Sequence, residues 1–253
     1  MFRKQSVYLI TTLVIFTGFS LRAAADSLSS EELLAKSISH HDPNGVWADA
    51  RITLGIMTTY SDAYAEKTGA MPASLMIVLA PGQDMFSYEK KTATDETLIT
   101  LEQGVGSTTV NGSTEVSDED QKRLRLAEPS LYRDYCEYLY GMPMKLKDPG
   151  AIMDPDVTGT EFDGRDVLQI KVTYDPEVGM DTWYFYFDPT SYALVGYRFY
   201  HSESDNDGEY IPFEGEIVDE ATGLRLPSTR TWYYNNGDGH LATDQIVSIV
   251  VSM

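Results

Sequence analysis

Residues 182–200 read TWYFYFDPTSYALVGYRFY. Trp183, Phe185 and Phe187 alternate with Tyr184 and Tyr186, which is the period of an extended chain, and these are residue types that strands favour. Asp188-Pro189-Thr190-Ser191 interrupts the run with turn formers, and the alternation resumes over residues 193–201. Two strands joined by so short a turn lie antiparallel. Downstream the pattern recurs at 210–218, 224–234 and 245–251, separated by the polar run 202–208, by Ala221-Thr222-Gly223 and by residues 235–239. Upstream, Asp163-Gly164 is a hairpin turn leading into 167–174. The C-terminal half therefore reads as an antiparallel meander.

The N-terminal half adds strands and two helical interruptions. Ile52, Leu54, Ile56, Thr58 and Tyr60 share one face of a strand, with Arg51, Thr53 and Thr59 on the other. Residues 75–80, 85–89 and 97–103 predict further strands, and Asn111-Gly112 predicts a hairpin between 108–110 and 113–116. Ser29 with Glu32 has capping-box spacing, and Leu33, Leu34 and Ile38 follow at helical intervals as far as about His40, before Asp42-Pro43-Asn44-Gly45 stops the helix. Ser117 caps a second helical run in which Leu124, Ala127, Leu131, Tyr135 and Tyr138 form one apolar stripe. This run is one helix, or two broken at Pro129, and Gly141 and Pro143 end it; 142–157 then reads as an ordered, irregular loop.

The fold class that follows is mainly β (α+β). Eight or more strands do not stay flat, so the expectation is a curved antiparallel sheet, or half-barrel, with helices covering its concave face and a ligand-sized space between them. One domain over 26–253 is expected, with the helical insert at about 117–141. Residues 1–25 have the pattern of a signal peptide: Arg3 and Lys4, a mostly apolar run over 7–19, then Ala23-Ala24-Ala25. The apolar run is too short to span a bilayer. Cleavage near Ala25 predicts an exported protein, periplasmic or secreted, with no integral membrane segment after processing.

Charge narrows the partners. The 253 residues carry 19 Lys plus Arg against 39 Asp plus Glu, a net −20. Loss of the leader removes Arg3, Lys4 and Arg22 and leaves 228 residues at −23. Nucleic acid and anionic membrane surfaces are thereby disfavoured, because both are bound through cations. Cys136 is the only cysteine, so no intramolecular disulfide forms and stability rests on the core.

The chain has no GxSxG, HExxH, GxxxxGK[ST] or helix-opening GxGxxG. His40-His41-Asp42 supplies metal-type ligands, but neighbours on a helix point about 100° apart, which favours capping and packing over an ion. Glu203, Asp205, Asp207, Gly208 and Glu214 imitate a calcium loop, yet their flanks are strands and the motif needs helices. No catalytic residue, no metal and no cofactor is assigned, and the chain reads as a non-enzyme. A hydrolase would need His40 or His41 gathered with several carboxylates.

The aromatics are more informative. Rings on both faces of neighbouring strands suggest that one face lies under a helix while another lines a cavity or meets a partner. The candidate ligand-contacting residues are Trp47, Arg51, Tyr135, Tyr138, Trp183, Phe185, Phe187, Tyr197 and Trp232.

The order of parts, with Phe187-Asp188-Pro189 followed by Ala193-Leu194-Val195-Gly196-Tyr197, resembles the lipoprotein-carrier superfamily typified by LolA and LolB. More closely, His41-Asp42-Pro43 with Gly45 and Trp47, Gly208-Glu209-Tyr210, Leu226-Pro227 with Arg230 and Trp232-Tyr233, and Asp244 resemble an uncharacterised family of exported Gram-negative proteins placed in the same fold group. The resemblance implies an unclosed barrel whose hydrophobic mouth is covered by helices and, as in the carriers, holds acyl chains. Arg51 is a possible counterpart of the strand arginine that fastens the carriers' helical lid. The expected function is binding of a lipid or other hydrophobic ligand, with a hydrophobic small molecule or acyl chain as partner. The alternative is a module that docks an envelope protein.

Overall fold

The computed structural model describes Ala25 and residues 28–237 and 239–253. The expected leader falls, apart from Ala25, outside the described residues. The elements are α1 (Ser30–His41), β1 (Arg51–Tyr60), α2 (Asp62–Thr68), β2 (Ala73–Ala80), β3 (Met85–Lys91), β4 (Glu96–Glu102) and β5 (Val105–Val110). Then come α3 (Asp118–Arg123), α4 (Pro129–Gly141), β6 (Ala151–Met153), β7 (Thr158–Phe162), β8 (Arg165–Tyr174), β9 (Thr182–Phe187) and β10 (Leu194–Ser202). β11 (Asp207–Val218), β12 (Arg225–Tyr234) and β13 (His240–Ser252) complete the chain.

All thirteen strands join one antiparallel sheet in the order β5-β4-β3-β2-β1-β13-β12-β11-β10-β9-β8-β6, and β7 shares the β8 edge with β6. The fold is mainly β, a curved sheet that does not close into a barrel. Curvature has a local cause: the register skips Val195 and His201 of β10 and Leu241 and Val247 of β13, and each such bulge bends and twists its strand. The first strand pairs with the last, Arg51 opposite Ser252 and Thr58 opposite Asp244, so the two hairpin series meet in mid-sheet.

That topology also places the helices. The chain leaves β5 at one edge and must re-enter at β6 on the opposite edge, so residues 111–150 cross a face of the sheet. They cross the face that carries Ile52, Leu54 and Ile56 of β1 and Phe185, Phe187 and Tyr197 of β9 and β10, all buried. α1 lies on the same side and adds Leu33 and Leu34 to the same core. Its start is a capping box: the Ser29 side chain accepts from the Glu32 amide while the Glu32 carboxylate accepts from the Ser29 amide.

The structure differs from the sequence expectation in three places and decides between two alternatives in a fourth. Asn111 and Gly112 form a tight turn with Val110 bridged to Ser113, but no strand follows; β5 pairs with β4 through a turn at Gln103-Gly104. Of the two forms expected for the helical run, the structure has the broken one: two helices, with Pro129 in the first turn of the second, where its missing N–H costs nothing. A short helix over Asp62–Thr68, capped by Ser61, had no counterpart in the sequence reading. Part of the expected irregular segment, Ala151–Met153, pairs with β8.

Candidate functional site

α4 is held to the sheet along one side only. Cys136, Leu139 and Tyr140 are buried beneath it, while Tyr135 remains 56% exposed. Tyr140 faces the guanidinium of Arg230, a side chain only 1% exposed. Gly141 ends the helix against Trp47, whose ring occupies the space a side chain there would need. The sheet curves away on both sides of this anchored helix, and a cleft opens on each, with Tyr135 lining both.

The first cleft, about 510 Å³, has walls of Tyr135, Tyr138, Tyr174 and Trp183. The Tyr138 and Tyr174 hydroxyls are 2.6 Å apart, and the Tyr138 and Trp183 ring centroids 5.0 Å. Trp183 is stacked in turn on Phe199, at 4.7 Å, and so is fixed from behind. Burial pushes the Tyr174 phenol up to about 12, so both hydroxyls are neutral at ordinary pH and one donates to the other. The rim carries Asp134, Asp148, Glu177 and Asp181 with one cation, Lys145, which is paired with Asp148 at 2.5 Å and Glu137 at 3.3 Å.

The second cleft, about 300 Å³, is lined by Tyr60, Tyr64, Tyr88 and Trp232 together with Leu75, Ile77 and Leu139. Its polar groups are Thr58, Glu209 and Asp244. Thr58 donates its hydroxyl to Asp244 Oδ1 at 2.5 Å. Burial holds the Asp244 carboxyl above its ordinary range despite that bond and the nearby Arg230 charge, and burial likewise raises Glu209. Cys136 borders the same space, but its thiol is 2% exposed and pushed up by burial to about 12, which leaves it unreactive.

The sequence-derived candidates separate into three groups. Tyr135, Tyr138 and Trp183 line the first cleft, and Tyr135 and Trp232 line the second. Trp47, Phe185, Phe187 and Tyr197 are buried in the core and line neither. Arg51 is exposed at the start of β1, opposite Ser252, and lines neither cleft; the arginine that lies against a ring of α4 is Arg230. Tyr60, Tyr64, Tyr88, Tyr174, Glu209 and Asp244 line the clefts without having been singled out for it. Glu209 and Asp244 were visible only as members of family-like motifs, among 39 acidic residues.

Among the described residues one group of three could share an ion: His40, His41 and Glu216. The hydrogen bonds exclude it. His41 Nε2 accepts from the Leu194 amide at 2.9 Å, so its Nδ1 carries the proton and donates to the Arg225 carbonyl at 2.9 Å. Neither nitrogen retains a lone pair for a metal. His40 is paired with Glu216 at 2.6 Å. The acidic loop is also engaged, since Glu203 accepts from Lys171 at 3.1 Å and from the Tyr184 hydroxyl at 2.5 Å.

A family model described as a family of unknown function, DUF6503, matches residues 9–248. Among solved structures the chain is similar to the LolA superfamily protein NE2245 from Nitrosomonas europaea, at 11% sequence identity and a TM-score of 0.47, over 89% of this chain and 94% of that one. No curated protein matches the chain. Among the described residues no helix is long and apolar enough to cross a membrane.

Proposed function

The chain belongs to the family of unknown function DUF6503, and from the geometry of its concave face we propose that it is an exported single-domain protein that binds a lipid or other hydrophobic ligand there. The observation that carries this reading is the position of Tyr135, a large ring left 56% exposed between two aromatic clefts. Elsewhere on this face the rings are spent on the core: Phe185, Phe187 and Tyr197 have no exposed surface. The outer part is different, because α4 covers only the centre and leaves apolar side chains facing water on both flanks. A cleft of several hundred Å³ with aromatic walls and a limited set of charged and polar groups around them has the character of a small-molecule site.

The energetics fit an alkyl or ring-bearing ligand. Each methylene transferred from water to such a surface gains about 0.8 kcal/mol. A chain of moderate length therefore offsets the several kcal/mol lost on association. Export is supported by the leader pattern of residues 3–25.

Native mass spectrometry with lipid extraction of the purified protein tests the proposal, together with quenching of Trp183 and Trp232 fluorescence on titration with amphiphiles. A bound or exchangeable amphiphile, and quenching lost in Trp183→Leu, are the expected results. Protein that carries no amphiphile, takes none up and shows no quenching would overturn it.

A further inference from the structure

The two clefts differ in the charge they present. Lys145 stands on the rim of the first, whereas no Lys or Arg lines the second among the described residues. What lines the second is an arc of rings, Tyr60, Tyr64, Tyr88 and Trp232, together with the carboxylates of Glu209 and Asp244.

The carboxylates have cations nearby but no ion-pair partner among the described residues. Asp244 on β13 sits between Thr58 of β1 and Arg230 of β12. The Arg230 guanidinium, however, is turned under α4, between Tyr140 at 4.8 Å and Phe213 at 5.1 Å, and donates to the Pro227 carbonyl at 3.0 Å. Among the described residues neither Asp244 nor Glu209 forms an ion pair within 4.0 Å. Lys90 acts on Asp244 only through space, and it lines a neighbouring recess of about 350 Å³ beyond Tyr60 and Tyr64. Two half-buried carboxylates in a ring-walled cleft leave a negative potential that burial strengthens.

We propose that this second cleft receives a positively charged amine of the ligand, an alkylammonium or quaternary ammonium group, against the rings of Tyr60, Tyr88 and Trp232 with Glu209 and Asp244 as its countercharge. The inference rests on the ligand-binding reading above and specifies the chemistry of the ligand's polar end. Electron-rich ring faces attract an organic cation, most strongly where water is partly excluded. An anionic headgroup in the same place would face two carboxylates, while Arg230 and Lys90 lie outside the cleft's lining. Among the described residues no third His, Cys, Asp or Glu lies near enough to Glu209 and Asp244 to share an ion with both.

The test compares three amphiphiles of equal chain length, decyltrimethylammonium, decyl maltoside and decanoate, titrated below micelle formation into the full protein by calorimetry. Decyltrimethylammonium is expected to bind at least tenfold more tightly than the other two, with tetramethylammonium competing. Glu209→Gln and Asp244→Asn, each first shown by circular dichroism to be folded, are expected to cut that preference to under threefold. Equal affinity for all three, or tighter binding of decanoate, would overturn the cation site and leave hydrophobic ligand binding standing. Absence of binding by any of them would overturn both readings. An unchanged preference in two folded variants would also overturn the assignment of the cation to this cleft.

Discussion

The guanidinium of Arg230 lies 4.8 Å from the ring centroid of Tyr140, and the contact fixes where the concave face is covered and where it is open. Tyr140 comes from α4, which crosses that face, Arg230 from a central strand, and both are almost fully buried. A buried arginine has to be surrounded by groups that tolerate its charge, and two ring faces and a carbonyl do so here.

Removing the ring should loosen the helix. Tyr140→Ala is expected to cost about 3–5 kcal/mol, the range for deleting a buried aromatic, with the exposed Arg230 charge adding to the loss. Tyr140→Phe keeps the ring face and should cost about 1 kcal/mol or less. Urea unfolding followed by circular dichroism distinguishes the two, and equal losses would show that the ring is not the fastener.

His41 makes stability depend on pH. Burial pushes its pKa down to about 4, against 6.5 for a free imidazole, because protonation would break the bond from the Leu194 amide and place a charge in the core. The unfolded chain takes up the proton below 6.5 and the folded chain does not until about 4. The stabilisation is thus complete above 6.5 and lost as pH falls from there to 4, by about 3 kcal/mol in all. Unfolding free energies at pH 7.5 and 4.5 should show this slope, and His41→Gln should flatten it.

Cys136 should resist thiol reagents in the folded protein. With its pKa raised to about 12, its thiolate fraction at pH 8 is roughly a thousandfold below that of a free cysteine, and burial shields it further. Ellman's reagent is expected to react at once in concentrated urea and negligibly without it. Rapid reaction of the native protein would place the base of the second cleft in open contact with solvent.

Gly141 should not tolerate a side chain. A Cβ there would collide with the Trp47 ring and with Lys145 Cγ, so Gly141→Ala is expected to lower stability by about 1–3 kcal/mol through overpacking. A thermal melt measures the loss. The same shift of α4 should alter the fluorescence of Trp47.

Local chemistry explains which parts of this molecule are legible in its sequence. The alternation in β1 is unambiguous because one of its faces is buried from Ile52 to Thr58. Ser29 with Glu32 and the Asp163-Gly164 turn are self-contained signals whose geometry does not depend on distant residues. Asn111-Gly112 shows the limit of such signals, since the tight turn forms but pairing is decided elsewhere: β5 already has β4 as its partner, and the chain must leave the edge to cross the face. Periodicity likewise assigns a side chain to a face without saying how deep it lies. Trp183, Phe185 and Phe187 share one face of β9, yet the first borders a cleft and the other two are core. Glu209 and Asp244 come together only because four separate strands, β1, β11, β12 and β13, bring Thr58, Trp232 and these carboxylates to one place.

The pairing of β1 with β13 also governs how the molecule can be made. Because Arg51 and Ser252 are neighbours across some two hundred residues, the strand that joins the two halves of the sheet is synthesised after the other twelve. Until it inserts, β1 and β12 each present an unpaired edge, and the N-terminal hairpins wait beside a half-formed meander. Contacts so distant in sequence make for slow folding, and exposed edges invite pairing with other chains. The sheet therefore spends its most vulnerable interval unfinished, and the insertion of β13 acts as the zip that ends it.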